Sequence, residues 1–109
     1  MTPVEQLRMA LASLPNVEQA ASRFGSHRNP AWRVSGREFA HLHSDNLLDL
    51  RLPRKIQAGL RADRKARFRK SASEWLEFEF HTEEDVAHLA SLAREAWAAA
   101  AASASPKAT

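Results

Sequence analysis

Residues 65–70 and 74–80 alternate in a way that one strand register satisfies and its neighbours do not. A three-residue loop at Ser71-Ala72-Ser73 sets Phe68 opposite Leu76 and Ala66 opposite Phe78, all on one face. On the other face Lys65 meets Glu79, Arg67 meets Glu77, and Arg69 lies against Trp75. A slip of one residue would turn the apolar row to water and set phenylalanines opposite charges. The pattern predicts a β-hairpin with one apolar and one charged face.

The remaining elements follow from similar local signals. Thr2-Pro3-Val4-Glu5 combines a cap, a proline at the first helical position and a capping-box glutamate. Val4, Leu7, Leu11 and Leu14 then form a helical apolar stripe that Pro15 stops. Val17 to Phe24 reads as a strand, ended by Gly25 and the loop Ser26-His27-Arg28-Asn29-Pro30. Residues 31–34 and 37–43 form a hairpin around Ser35-Gly36, which sets Trp32 opposite Phe39 and Arg33 opposite Glu38. Leu47 to Leu52 is a fourth strand, and Pro53 opens a short helix with Ile56 and Leu60 toward the core. Thr82-Glu83-Glu84-Asp85 starts a last helix buried along Val86, Leu89, Ala93, Ala96 and Ala100, with Trp97 at its edge. The fold expected is α+β: an antiparallel sheet of about six strands, with N- and C-terminal helices packed on one side. Residues 1–102 make one domain and 103–109 a flexible tail.

At 109 residues, 44% of them hydrophobic and none cysteine, the chain suits a single packed domain. The lack of cysteine excludes disulfides, thiolate metal sites and cysteine nucleophiles, and it suits a reducing cytoplasm. The N-terminus has neither a basic region nor an apolar run of signal-peptide type, and no stretch is long enough to span a membrane. The net charge of +3 is uneven, because residues 54–70 carry eight basic side chains against Asp63 alone.

The run from His41 to Ile56, His-Leu-His-Ser-Asp-Asn-Leu-Leu-Asp-Leu-Arg-Leu-Pro-Arg-Lys-Ile, resembles the central signature of the luciferase-domain family. That pattern is His-x-His-x-Asp followed by Asp-Leu-x-x-Pro-Arg-x-Ile/Val, in small, mostly bacterial domains. The resemblance extends to Arg23-Phe24-Gly25, Gly36-Arg37-Glu38, the Trp75 strand and Glu83-Glu84-Asp85-Val86, so it covers roughly Val17 to Trp97. Ser44 and Asn46 stand where the family often has glycine, and Ala72-Ser73-Glu74-Trp75 replaces Asp-Ser-Gly-Trp. Both departures fall in turns. The order of elements is also similar to YjbR-type domains. The family's name implies light emission, but nothing in this chain resembles an oxygen-activating cofactor site.

His41 and His43, two apart on a strand, point to one face with Asp45 close behind. Two imidazoles and a carboxylate suit zinc or iron, but no further candidate (His27, Asp49, His81 or His88) has diagnostic spacing, so neither a metal nor another cofactor is expected. The bland alternative makes the histidines hydrogen-bonded sheet residues and leaves Asp45 and Asn46 to form the turn. A functional alternative gathers His41, His43, Asp45, Asp49 and Arg54 into a pocket for a small anionic ligand, with Arg54 as its bidentate group. Three readings follow. The leading one is a non-catalytic module binding a ligand or a protein partner; the second is a small enzyme using the same cluster, its catalytic residues unassigned. The third is nucleic-acid binding through Lys55, Arg61, Arg64, Arg69 and Lys70, disfavoured because glutamates in the second hairpin face its basic residues.

Overall fold

The computed structural model describes residues 1–21, 29–60, 66–68 and 73–104. Helix α1 spans Pro3–Ala12 and is followed by strands β1 (Val17–Ala21), β2 (Pro30–Val34), β3 (Arg37–Ser44) and β4 (Leu47–Arg51). The short helix α2 (Arg54–Ala58), strands β5 (Ala66–Phe68) and β6 (Trp75–Glu79) and the long helix α3 (Glu83–Ala104) complete the chain. The fold is α+β. All pairings in the six-stranded sheet are antiparallel, in the order β1-β2-β3-β4-β6-β5. Thus β6 inserts between β4 and β5.

The helix ends form as their residues dictate. At α1 the Thr2 hydroxyl accepts from the Glu5 amide at 3.3 Å, and the Thr2 amide donates to Glu5 Oε1 at 2.9 Å. At α3 the Asp85 amide donates to Thr82 Oγ1 at 3.1 Å, while Asp85 Oδ2 accepts from the amides of His81 and Thr82. Helix α3 continues through Ser103 and Ala104, two residues into the stretch expected to be a tail; residues 105–109 lie outside those described. An Ala-rich sequence with high helix propensity carries the helix past the last buried residue, Ala100.

The helices cover one face of the sheet. Helix α3 lies across β2, β3 and β4, while α1 packs on α3 and β1. Between the layers sit Leu7, Leu11, Trp32, Ala40, Leu42, Leu48, Leu50, Leu76 and Phe78, with the expected α3 stripe above them. Trp97, half-buried at the edge, donates its indole N–H to the Pro15 carbonyl at 2.9 Å and ties the two helical ends together. No helix among the described residues is long and apolar enough to cross a membrane.

Two registers were expected from sequence and one is revised. In the second hairpin Ala66 pairs with Phe78, Arg67 with Glu77 and Phe68 with Leu76, as the alternation requires. Lys65, Arg69 and Ser71-Ala72 lie outside the described residues, as do residues 22–28, including the end of the expected first strand. In the first hairpin Arg33 pairs with Glu38 as expected, but Trp32 pairs with Ala40 rather than Phe39. The turn has φ of 53° at Ser35 and 77° at Gly36, the two-positive combination that matches strand twist. Glycine adopts it freely, whereas serine gives up about 1–2 kcal/mol. Beyond the turn a bulge at Phe39 takes up one extra residue. It lets Phe39 and Ala40 both join the core while Glu38 and His41, three apart, meet on the opposite face.

Candidate functional site: a histidine–carboxylate cluster on the sheet face away from the helices

The residues that alternate with the core on β3, β4 and β6 point away from the helices. The registers set them in a row, because His41 pairs with Asp49, Asp49 with Glu77 and Glu77 with Arg67. Paired positions in an antiparallel sheet put side chains within contact distance on one face. The row therefore brings one imidazole and two carboxylates together on the central strands. A second irregularity, between Leu42 and Ser44, adds His43 to the same side.

Asp49 is the centre. Its side chain has no exposed surface, and its Oδ2 lies 2.7 Å from Nε2 of His41 and 3.2 Å from Nδ1 of His43. Nδ1 of His41 lies 3.0 Å from Oε2 of Glu38, itself buried, so this imidazole is held between two carboxylates. The Trp75 ring packs against His41 with centroids 4.8 Å apart. His43 is different. Its side chain is 49% exposed, and Nδ1 also approaches Oε2 of Glu77 at 3.6 Å. One imidazole is thus locked in place while the other stands at the solvent edge.

Three carboxylates, Glu38, Asp49 and Glu77, gather on this face; Arg33 pairs with Glu38 across the β2–β3 ladder, and the Arg67 guanidinium lies 3.5 Å from Glu77. Arg67 is shared, since its second nitrogen sits 2.6 Å from Glu79.

Of the residues the sequence singled out, His41, His43 and Asp49 come together. Asp45 does not. It is exposed in the turn between β3 and β4, where Ser44 Oγ donates to Asn46 Oδ1 at 2.8 Å, and its part is the turn itself. Nor does Arg54, which is exposed at the start of α2, past Pro53 at the far end of β4. Among the described residues no ion pair joins Arg54 to the cluster. The side chains that flank the imidazoles are carboxylates. Of the nucleic-acid set, Lys55 is exposed on α2, while Arg61, Arg64, Arg69 and Lys70 lie outside the described residues. Lys65, expected opposite Glu79, lies outside the described residues; Glu79 is contacted by Arg67 and by His81 Nε2, at 2.5 Å.

Sequence reasoning missed three members of the site: Glu38, Glu77 and Trp75. Glu38 reaches His41 only because of the bulge at Phe39, and Glu77 and Trp75 only because β6 lies beside β4. Two surface clefts lie elsewhere. One is bordered by Arg37, Arg51 and Glu74 near the end of α3, where Arg51 Nε donates to Glu74 Oε1 at 3.0 Å. The other is bordered by Thr2, Asp45 and His81.

The sequence profile of the Luciferase domain matches residues 36–96, from the first hairpin turn into α3. This segment contains Glu38, His41, His43, Asp49, Trp75 and Glu77. No curated protein and no solved structure matches the chain. The matched segment is more than half of the sequence and carries every member of the cluster, and the chain belongs to the luciferase-domain family.

Proposed function

We propose that the domain is a non-catalytic ligand-binding module, and that its site is the cluster of His41, His43 and Asp49 with Glu77 and Trp75 at the rim. One observation carries this reading: a wholly buried carboxylate oxygen is approached by two imidazoles, one of which stands half in solvent. Burying a carboxylate costs several kcal/mol unless it is well paired, and packed hydrophobic residues often serve stability as well or better. A central strand that retains this arrangement, open at one edge, suits recognition of something that reaches His43 from outside. The carboxylates select against anions, so the small anionic ligand suggested by Arg54 gives way to a cationic one.

An enzymatic reading has one observation in its favour. Nδ1 of His43 against Asp49 is how a carboxylate orients a general base, with Nε2 on the far side of the ring. The adjacent hydroxyl, Ser44 Oγ, donates to Asn46 instead of to that histidine. Binding is therefore the better-supported function.

The test is a set of amide and imidazole NMR titrations with zinc chloride, tetramethylammonium and sodium phosphate. Perturbation by either cation, centred on His41, His43 and Asp49 and lost in His43→Ala, is the expected result. Perturbation by phosphate alone, or shifts confined to other surfaces, would overturn the reading.

A further inference from the structure

The site's donor set specifies its ligand more narrowly, on the premise that the cluster is a binding site at all. We propose that His41, His43 and Asp49 bind a single divalent transition ion of the zinc or iron(II) type. Nε2 of His41, Nδ1 of His43 and Oδ2 of Asp49 all lie within 4.8 Å of one another. Imidazole nitrogen and carboxylate oxygen are donors that such ions take at about 2.0–2.2 Å. Three ligands at that radius in a tetrahedron stand roughly 3.3–3.6 Å apart, by the geometry of those bond lengths. Of the two contacts to Oδ2, the one at 3.2 Å is close to that spacing and the one at 2.7 Å is shorter, so binding requires the side chains to move apart around the ion.

The surroundings are those of a metal site as well. A ligating histidine characteristically has a carboxylate behind its other nitrogen, which fixes the tautomer and aims the free lone pair at the metal. Glu38 stands on that side of the ring, its Oε2 3.0 Å from Nδ1 of His41 but off the line of a hydrogen bond, and Nε2 faces Asp49. Trp75 packs on the same ring. Two ligands are thus held rigidly by the central strands, and the third, His43, closes the site from solvent. Glu77, whose Oε2 lies 3.6 Å from His43, stands near enough to contribute a further oxygen. Metal-free, the same atoms form the hydrogen-bonded cluster, so an ion replaces the proton-mediated contacts between the imidazoles and Asp49.

The experiment is titration of chelator-treated full-length protein with cobalt(II) and zinc(II), followed by cobalt visible absorption and by zinc calorimetry. One equivalent per chain is expected, with the cobalt bands displaced by zinc. His43→Ala should weaken binding at least 10-fold, and Glu38→Gln about 10- to 100-fold through its effect on His41. His81→Gln, remote from the site, should bind as the parent does. Circular dichroism and urea midpoints check that each variant is folded; should Glu38→Gln not fold, His43→Ala, altered at an exposed ring, decides the matter. No binding, or binding equal in parent and His43→Ala, overturns the proposal. If tetramethylammonium still perturbs the cluster while cobalt and zinc do not bind, the metal assignment fails and the ligand-binding function stands; if no cation perturbs it, both fail.

Discussion

Replacing Asp49 with alanine should destabilise the domain by about 3–6 kcal/mol, since two contacts to a buried carboxylate, each worth about 1.5–3 kcal/mol, are lost. Asp49 is wholly buried and serves two imidazoles through one oxygen. Its loss leaves buried His41 facing an empty volume on one side and Glu38 on the other. Asp49→Asn keeps the shape and one acceptor oxygen but loses the charge. A hydrogen bond to a charged group is worth about 1.5–3 kcal/mol, so this variant should fall short of the alanine cost. His43→Ala should cost no more than about 1 kcal/mol, since that ring is half exposed and its contacts are screened. Urea unfolding followed by circular dichroism and tryptophan fluorescence measures all three. The expected order is alanine at 49, then asparagine at 49, then alanine at 43. Asp49→Ala within about 1 kcal/mol of the parent would refute the buried-anchor account of this residue.

Phe39→Ala should cost about 3–5 kcal/mol, because the bulge sends both Phe39 and Ala40 into the core; a small cost in denaturant unfolding would mean the bulge is misassigned. The Glu5 carboxyl should titrate below its ordinary 4.5, held down first by the Thr2 amide and then by the Thr2 hydroxyl. A folded-state value below the unfolded one gives stability that is present above the unfolded value and lost as pH falls through the folded one; carboxyl NMR checks the titration. Thr2→Ala should leave the amide contribution to that shift and cost about 0.5–2 kcal/mol of stability. Reversing Glu77 and Glu79 to lysine should create salt-dependent duplex-DNA binding in a mobility assay, since Arg67 loses both partners; tight binding by the parent at physiological salt would contradict the self-neutralised hairpin.

What the sequence made legible depended on how local its signals were. The second hairpin was readable because both of its faces encode one register, apolar on one side and opposite charges on the other. The α1 capping box and the α3 stripe were readable for the same reason. The first hairpin was not fully readable, because nothing in Arg33-Val34-Ser35-Gly36-Arg37-Glu38-Phe39 announces an extra residue at Phe39. The site was half legible. The two-residue spacing of His41 and His43 placed them on one face, but Asp49 became their third partner only through the β3–β4 register. A short turn between Ser44 and Leu47 implies that register, and Asp49 was accordingly among the pocket residues expected from the sequence. Glu77 could not have been. Its place depends on β6 lying between β4 and β5, and sequential strands alone do not indicate such an insertion. Arg54 is near Asp49 in sequence, but Pro53 ends the strand between them and Arg54 stands exposed at the start of α2.

The most direct measurement is anomalous diffraction at the zinc edge from crystals grown with one equivalent of zinc. A single strong peak about 2.0–2.2 Å from Nε2 of His41, Nδ1 of His43 and Oδ2 of Asp49, absent in crystals of His43→Ala, is the predicted result. An undecorated cluster with the anomalous signal at His81 or His88, or with none anywhere, would contradict it.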